Sequence, residues 1–337
     1  MIIEIIKKIV ENGFTYETDQ ALYFDVTKYD DYTKLYGQKL EDKLVGVRDE
    51  VNVDTKKKHP ADFVLWMKRA GVYKDHIMHW ASPWGDGFPG WHIECSAMAV
   101  NYLGKDISIH TGGIEHISVH HTNEIAQNYG AYEKEIVKMW VHNEHLKAIG
   151  GDKLSKSLGN AYNLDELKEK GFDPMDLRWF LTSINYKMPI NFSLEALEGA
   201  KNSRLNVISK LKDLKSKASG EGKIIKEYYE RFSNALNDNL NVSEAFATLS
   251  ELLKSENKPE DILVTAFEFD KVFGLRLQES VEQTFETSEE ITKLLESRKE
   301  ARSNKDFALS DQLRKQIEDM GYEVLDTTNW QEVRKLN

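Results

Sequence analysis

This 337-residue chain has one cysteine, no long apolar run and fewer positive than negative charges, and each shortage excludes something. A single cysteine, Cys95, rules out an intrachain disulfide framework and suits a reducing cytoplasm, where a lone thiol is either core filling or a chemical group. No apolar stretch is long enough to cross a bilayer, and the apolar start, Met1 to Val10, carries Glu4, Lys7 and Lys8 at helical spacing, too short and too charged for a signal or a transmembrane segment. A soluble, cytoplasmic chain with no membrane partner is expected. Lys plus Arg at 45 against Asp plus Glu at 56 leaves a net charge of −11, which argues against sequence-blind nucleic-acid binding and leaves room only for local basic surfaces. No periodic repeat is present, and the length points to two or three domains.

What is there divides into a mixed first part and a helical second part. Ile2, Ile3, Ile6 and Val10 predict a helix face closed by Gly13 as a left-handed cap. Phe14–Tyr16 and Ala21–Val26 read as a hairpin across Asp19-Gln20, and Ala61–Trp66 as a buried strand beyond a charged, turn-rich 38–59. Pro, Gly and Trp crowd the loop from Ser82 to Trp91, and a helix from about His92 to Leu103 ends at Gly104. Ile107–His110 reads as a short strand, Thr111-Gly112-Gly113 as a turn, Val119–Tyr132 as a helix and Met139–Ile149 as strand. Helices are expected over Leu164–Lys170, Pro174–Ile184 and Ser193–Lys217, and almost everywhere after Lys223. Thr287 with Glu290 suggests a capping box, and Leu309, Leu313 and Ile317, closed by Gly321, make the tail a helical hairpin.

Two groups of residues carry chemistry. His120 and Glu124 stand four apart on an expected helix, so both project from one face and can grip one ion, with Cys95 supplying a thiolate. An isolated His-x-x-x-Glu pair is better read as packing and capping, and a lone cysteine as core, so context has to break the tie. Zinc suits a mixed sulfur, nitrogen and carboxylate set. The second group, Lys153-Leu154-Ser155-Lys156-Ser157, puts two lysines and two hydroxyls on a Gly-flanked loop, chemistry fit for holding and releasing phosphate; a solvated surface loop is the plainer alternative.

Followed by Leu158-Gly159-Asn160, that pentad resembles the Lys-Met-Ser-Lys-Ser signature of class I aminoacyl-tRNA synthetases, with Leu154 in place of methionine. Ser82-Pro83-Trp84-Gly85, Gly90–Met98 and His120–Gln127 resemble, in the same order, blocks of the cysteinyl-tRNA synthetases, and the similarity runs from Met1 to the C-terminus. The resemblance implies an α/β fold followed by all-α. Residues 1–75 would be a connective insertion region, and 76–135 the second half of a Rossmann-like catalytic domain with a zinc site. Residues 136–190 would be a stem-contact region with the KLSKS loop, and 191–337 a helical bundle that binds the tRNA and its anticodon. It implies ATP-dependent activation of L-cysteine to cysteinyl-adenylate and transfer to tRNA-Cys. One Zn2+ would be held by Cys95, His120 and Glu124, and ATP would come with Mg2+. Lys156, assisted by Lys153, would hold the ATP phosphates. Trp91 and His110 would line the amino-acid pocket, and Glu115, standing where the family usually has aspartate, would meet the substrate ammonium. A thiophilic metal distinguishes cysteine from serine far better than a shaped pocket can.

Two family parts have no counterpart. One is the His-Ile-Gly-His element, which His76-Ile77-Met78-His79 mimics with Met78 where a bare glycine backbone is needed. The other is a further cysteine as the fourth zinc ligand, for which His121 is a substitute. A truncated enzyme, a split enzyme completed by a separate N-terminal half, or an incomplete sequence record is therefore expected, and the residues alone do not separate the three. The alternatives are a zinc-dependent cysteine- or tRNA-binding module inactive by itself and a cysteine:amino-sugar ligase. Lys210, Lys212, Lys215 and Lys217, with Arg298, Lys299, Arg302, Lys305, Arg314 and Lys315, form clusters able to meet RNA phosphates, although a solvated helix face laced with acids accounts for any one of them.

Overall fold

The computed structural model describes residues 1–37, 54–148, 161–282, 288–326 and 331–335, which form two compact units, Met1–His145 and Leu146–Asn337. The loop with Lys153 and Lys156, and most of the charged 38–59 stretch, lie outside the described residues.

In the first unit, α1 (Ile2–Glu11) buries Ile5, Ile6 and Ile9, with the expected Ile2 and Ile3 only partly buried against the same core and the expected Val10 outside it. Successive helical residues step by roughly 100°, so Ile3 and Val10 fall about a quarter-turn from the centre of the buried stripe; Val10 is left exposed. Gly13 takes the expected positive φ of 80°. The hairpin β1 (Thr15–Glu17) and β2 (Ala21–Phe24) forms as expected, and β3 (Phe63–Lys68) and β4 (Gly87–Pro89) extend it to an antiparallel sheet in the order β1-β2-β3-β4. Its face buries Leu22, Phe24, Phe63 and Leu65 against Ile6 and Ile9. Asp62, buried beneath it, accepts from Tyr16 Oη (2.6 Å) and from the backbone N–H groups of Val26 and His59 (3.0 and 2.8 Å), so its charge is not stranded.

Beyond the sheet come α2 (Trp91–Leu103), β5 (Ile107–Gly113), α3 (Thr122–Tyr132) and β6 (Val137–Asn143), with β5 and β6 paired in parallel. The helix α2 ends at Gly104, as its periodicity predicts. Gly112 and Gly113 do not turn the chain; both continue β5 to its last residue. Gly130 lets α3 lie close on α1 and β2, since a Cβ there would approach Phe24 Cε2 to 2.9 Å and Ile9 Cγ2 to 3.3 Å. The His76–His79 tetrad is exposed: His76 stacks on Phe88 at 3.8 Å and His79 Nδ1 lies 2.8 Å from Asp86 Oδ1.

The second unit holds β7 (Leu146–Ala148), α4 (Leu164–Glu169), α5 (Pro174–Thr182), β8 (Ile190–Phe192) and α6 (Leu194–Lys217), with β7 and β8 parallel. Asn163 and Asp173 make capping boxes that start α4 and α5. Then follow α7 (Lys226–Asn237), α8 (Val242–Leu252), α9 (Pro259–Phe273), α10 (Leu277–Glu282), α11 (Glu289–Ser303) and α12 (Phe307–Asp319). Helices α4 to α10 share a core that includes Trp179, Leu197, Phe232, Leu249, Phe269 and Phe273. The tail is not wholly helical. Tyr322–Asp326 (β9) and Gln331–Lys335 (β10) pair antiparallel, and Val324 and Val333 bury themselves against Ile291 and Ile317. Helix α11 is capped by Ser288, whose Oγ accepts from Ile291 N at 3.3 Å, whereas Thr287 lies outside the described residues. Leu313 and Ile317 are buried as expected; Leu309 is exposed.

Candidate metal centre

Gly90 caps α2 where the helix start presses against β3; a Cβ there would collide with the Val64 carbonyl. The helix thereby sets Trp91 and Cys95 above the sheet while Ile93, Ser96 and Ala97 face the core. Ser96 Oγ accepts from Gln127 Nε2 at 3.0 Å, a buried bond that locks α2 to α3 beside the cysteine. The chain leaves β5 through a 3₁₀ turn, Ile114–His116, and then a π turn, Ile117–His121, before α3 begins. One α-helix over Val119–Tyr132 is therefore not what forms: the first residues are wound wider. A π turn adds a residue to the helical ring and is found most often at functional positions. Here Thr122 Oγ1 donates to the Ile117 carbonyl at 2.6 Å across the turn, and Tyr32 Oη donates to Asn123 Oδ1 at 2.6 Å at the head of α3.

The winding brings His120, His121 and Glu124 into the interior, all at most 5% exposed. The ligand atoms of Cys95, His120 and Glu124 lie within 4.8 Å of one another. His120 Nε2 stands 3.1 Å from Glu124 Oε1, and its Nδ1 lies 2.8 Å from His92 Nδ1. Burial works against the charged form of His120, but Cys95 and Glu124 outweigh it and hold the pKa up at about 9. Its neighbour goes the other way: burial, with His110, His142, His116 and His120 adding to it, pushes His121 down to about 3. His121 is thus neutral and available as a ligand, while His120 has to release a proton to an incoming cation.

Trp91, half-exposed, lays its ring 4.4 Å from that of His120, and His110 stacks on Trp140 at 4.6 Å. His110 Nε2 reaches to 3.7 Å from Glu124 Oε1. Glu115 is more exposed and faces His145 Nε2 at 3.3 Å and His116 Nε2 at 3.8 Å. Trp91, Cys95, His110, His120 and Glu124 therefore meet at one place, with Glu115 linked to it through His116, whose ring is 5.1 Å from that of His120. The sequence reading overlooked His92, His116, His142 and Trp140. A signal existed, because seven of the ten histidines fall between His92 and His145.

The protein family described as tRNA synthetases class I (C) catalytic domain matches residues 1–202. The cysteine–tRNA ligase of Treponema denticola is 36% identical over 98% of this chain and 73% of its own length, and that of Chlorobaculum tepidum is 38% identical over 96% and 70%. The chain belongs to the cysteinyl-tRNA synthetase family. A second family, described as the cysteinyl-tRNA ligase anticodon binding domain, matches residues 284–334, which takes in α11, α12 and the β9–β10 hairpin. For a cysteinyl-tRNA synthetase the basic residues of that region are unevenly presented. Arg298 is only 2% exposed, and Arg314 donates to Glu318 Oε1 and to the Val324 carbonyl. Among the described residues no helix is long and apolar enough to cross a membrane.

Proposed function

We propose that this chain carries the cysteine-selecting centre of an ATP-dependent cysteine–tRNA ligase, with Cys95, His120 and Glu124 holding one Zn2+. The observation that carries the reading is the buried Glu124 carboxylate: its Oε1 accepts no hydrogen bond among the described residues, yet it shares a 4.8 Å cluster with a cysteine sulfur and a histidine nitrogen. Sulfur, imidazole and carboxylate together are a zinc donor set, and three protein donors leave a coordination position for a substrate atom. When bound, the ion supplies a thiophilic Lewis acid that favours the cysteine side chain over that of serine. Trp91 and His110 wall the amino-acid pocket, and Glu115 offers a carboxylate to the substrate ammonium. Lys156, with Lys153 assisting, neutralises the phosphates of ATP, which arrives with Mg2+; both lysines lie outside the described residues. tRNA-Cys is the acceptor, in keeping with the relatives, which are cysteine–tRNA ligases.

The reading includes a further polypeptide that supplies more strands, the separate N-terminal half. Parallel strands are normally covered on both faces, and the β5–β6 pair leaves Ile109 and Met139 each 56% exposed. About a quarter of the Treponema denticola relative has no match in this chain.

The test is cysteine-dependent ATP–pyrophosphate exchange by this chain mixed with a polypeptide equal to that unmatched quarter. Exchange is expected with cysteine and not with serine, and Cys95→Ala, which removes a ligand itself, should lower it by more than the roughly 10–100-fold that loss of an outer partner of a metal ligand costs. Exchange in the Cys95→Ala variant at the parent rate would sink the reading.

A further inference from the structure

Glu124 serves two sets of donors. Besides Cys95 and His120, the ligand atoms of His110 and His121 also lie with a Glu124 oxygen inside a 4.8 Å cluster. Glu124 is 1% exposed, and its Oε1 sits between two imidazoles, 3.1 Å from His120 Nε2 and 3.7 Å from His110 Nε2, without accepting a hydrogen bond among the described residues. That oxygen is served by the electrostatic attraction of the two imidazoles alone, and a cation held among the same donors would satisfy it directly.

The second set is also built as a ligand set. Nδ1 of His121 is engaged with His142 Nε2 at 2.7 Å, an outer hydrogen bond of the kind that orients a ligating imidazole and leaves Nε2 to the ion. Gly112 passes so close that a Cβ would come within 2.9 Å of that Nε2, so a bare backbone keeps the nitrogen accessible. His110 is part-exposed, which opens a path from solvent.

We infer that His110, His121 and Glu124 form a second position for a borderline divalent cation such as Zn2+ or Co2+, occupied as an alternative to the Cys95 position. Two imidazoles and one carboxylate suit that class of ion. Charge decides that the positions alternate. One dication against the Cys95 thiolate and the Glu124 carboxylate is neutral, whereas two dications sharing Glu124 would leave two uncompensated positive charges in a buried place. The nitrogen-rich position therefore fills when the Cys95 thiolate is unavailable. An ion held there engages His110, the wall of the proposed amino-acid pocket, and so is incompatible with substrate.

Cobalt(II) titration of the full chain tests this, read by metal stoichiometry and by thiolate-to-cobalt charge-transfer absorption. The parent is expected to bind one equivalent with the charge-transfer band. Cys95→Ser should still bind one equivalent but lose the band, and Cys95→Ser with His110→Gln should bind none. His110 is the better second site because, being part-exposed, it is the less structural of the two histidines; a circular-dichroism melt checks that the double variant is folded. No binding by Cys95→Ser, or a full equivalent retained by the folded double variant, overturns the inference. Neither result bears on cysteine-dependent exchange, so the two readings fail separately.

Discussion

A Cβ on Gly112 would lie 2.5 Å from Cε1 and 2.9 Å from Nε2 of His121, and 2.9 Å from Nδ1 of His116. The part-exposed His116 ring can give way, but that of His121 cannot. His121 is 2% exposed, tied to His142 and packed among His110, Trp140 and His142 with ring centroids 4.7 to 4.9 Å away. Gly112→Ala is therefore expected to destabilise the first unit by about 1–3 kcal/mol, the usual cost of overfilling a packed site, and to displace His121. Urea unfolding gives the first quantity, and the imidazole signals in NMR spectra report the second; an unchanged His121 resonance would mean that the glycine is not what makes room for the ring. The same residue shows why a local reading misplaces it. Thr-Gly-Gly has the composition of a turn, but here the missing side chains serve neighbours that are distant in sequence.

At the scale of the element, the π turn Ile117–His121 sets the site. Its extra residue rotates what precedes it by roughly 100° relative to a continuous α-helix, and Glu124 lies in the first turn of the regular helix that begins just beyond, at Thr122. Deleting Ser118 removes that residue and lets α3 extend in ordinary α winding. Helical content in circular dichroism should be retained, because α-winding is intrinsically the better packed, while in a Cys95→Ser background Co2+ binding by His110, His121 and Glu124 should be lost, because His110 precedes the deletion and rotates away from the other two. Undiminished binding in the deletion variant would show that the turn is incidental. The expected single helix from Val119 had the correct i,i+4 pairing of His120 with Glu124, since that spacing survives in either winding closely enough to bring the two within 3.1 Å.

At the scale of the molecule, the two units rest on different cores, and a buried ion pair joins two helices of the second. Arg204 Nε donates to Asp176 Oδ1 at 2.7 Å, joining α6 to α5, and Asp176 Oδ2 also accepts from Asp173 N at the start of α5. Both charges are buried. Asp176→Ala would leave the guanidinium uncompensated and strip the helix of its capping box, costing about 3–5 kcal/mol. Hydrogen exchange in α5 and α6 should accelerate accordingly, with the amides of the first unit as the internal reference; parent-like protection in both helices would contradict the assignment.

What could be read from residues alone was what depends on near neighbours. Helix α2 up to Gly104, the β1–β2 hairpin, the starts of α4 at Leu164 and α5 at Pro174, and the meeting of His120 with Glu124 all follow from spacings of a few residues, and the ordered motifs around Trp91, Cys95 and His120 pointed to the family. The tertiary structure alone decided the rest. Which face of α1 is buried, the strand at Gly112–Gly113, the β9–β10 hairpin under Ile317 and the ring of histidines about Glu124 all depend on partners far along the chain. Periodicity records which residues an element can bury, but not against what. A metal centre is built from the second kind of fact: Cys95, His110 and His120 belong to three elements, and only packing brings their donor atoms to one carboxylate.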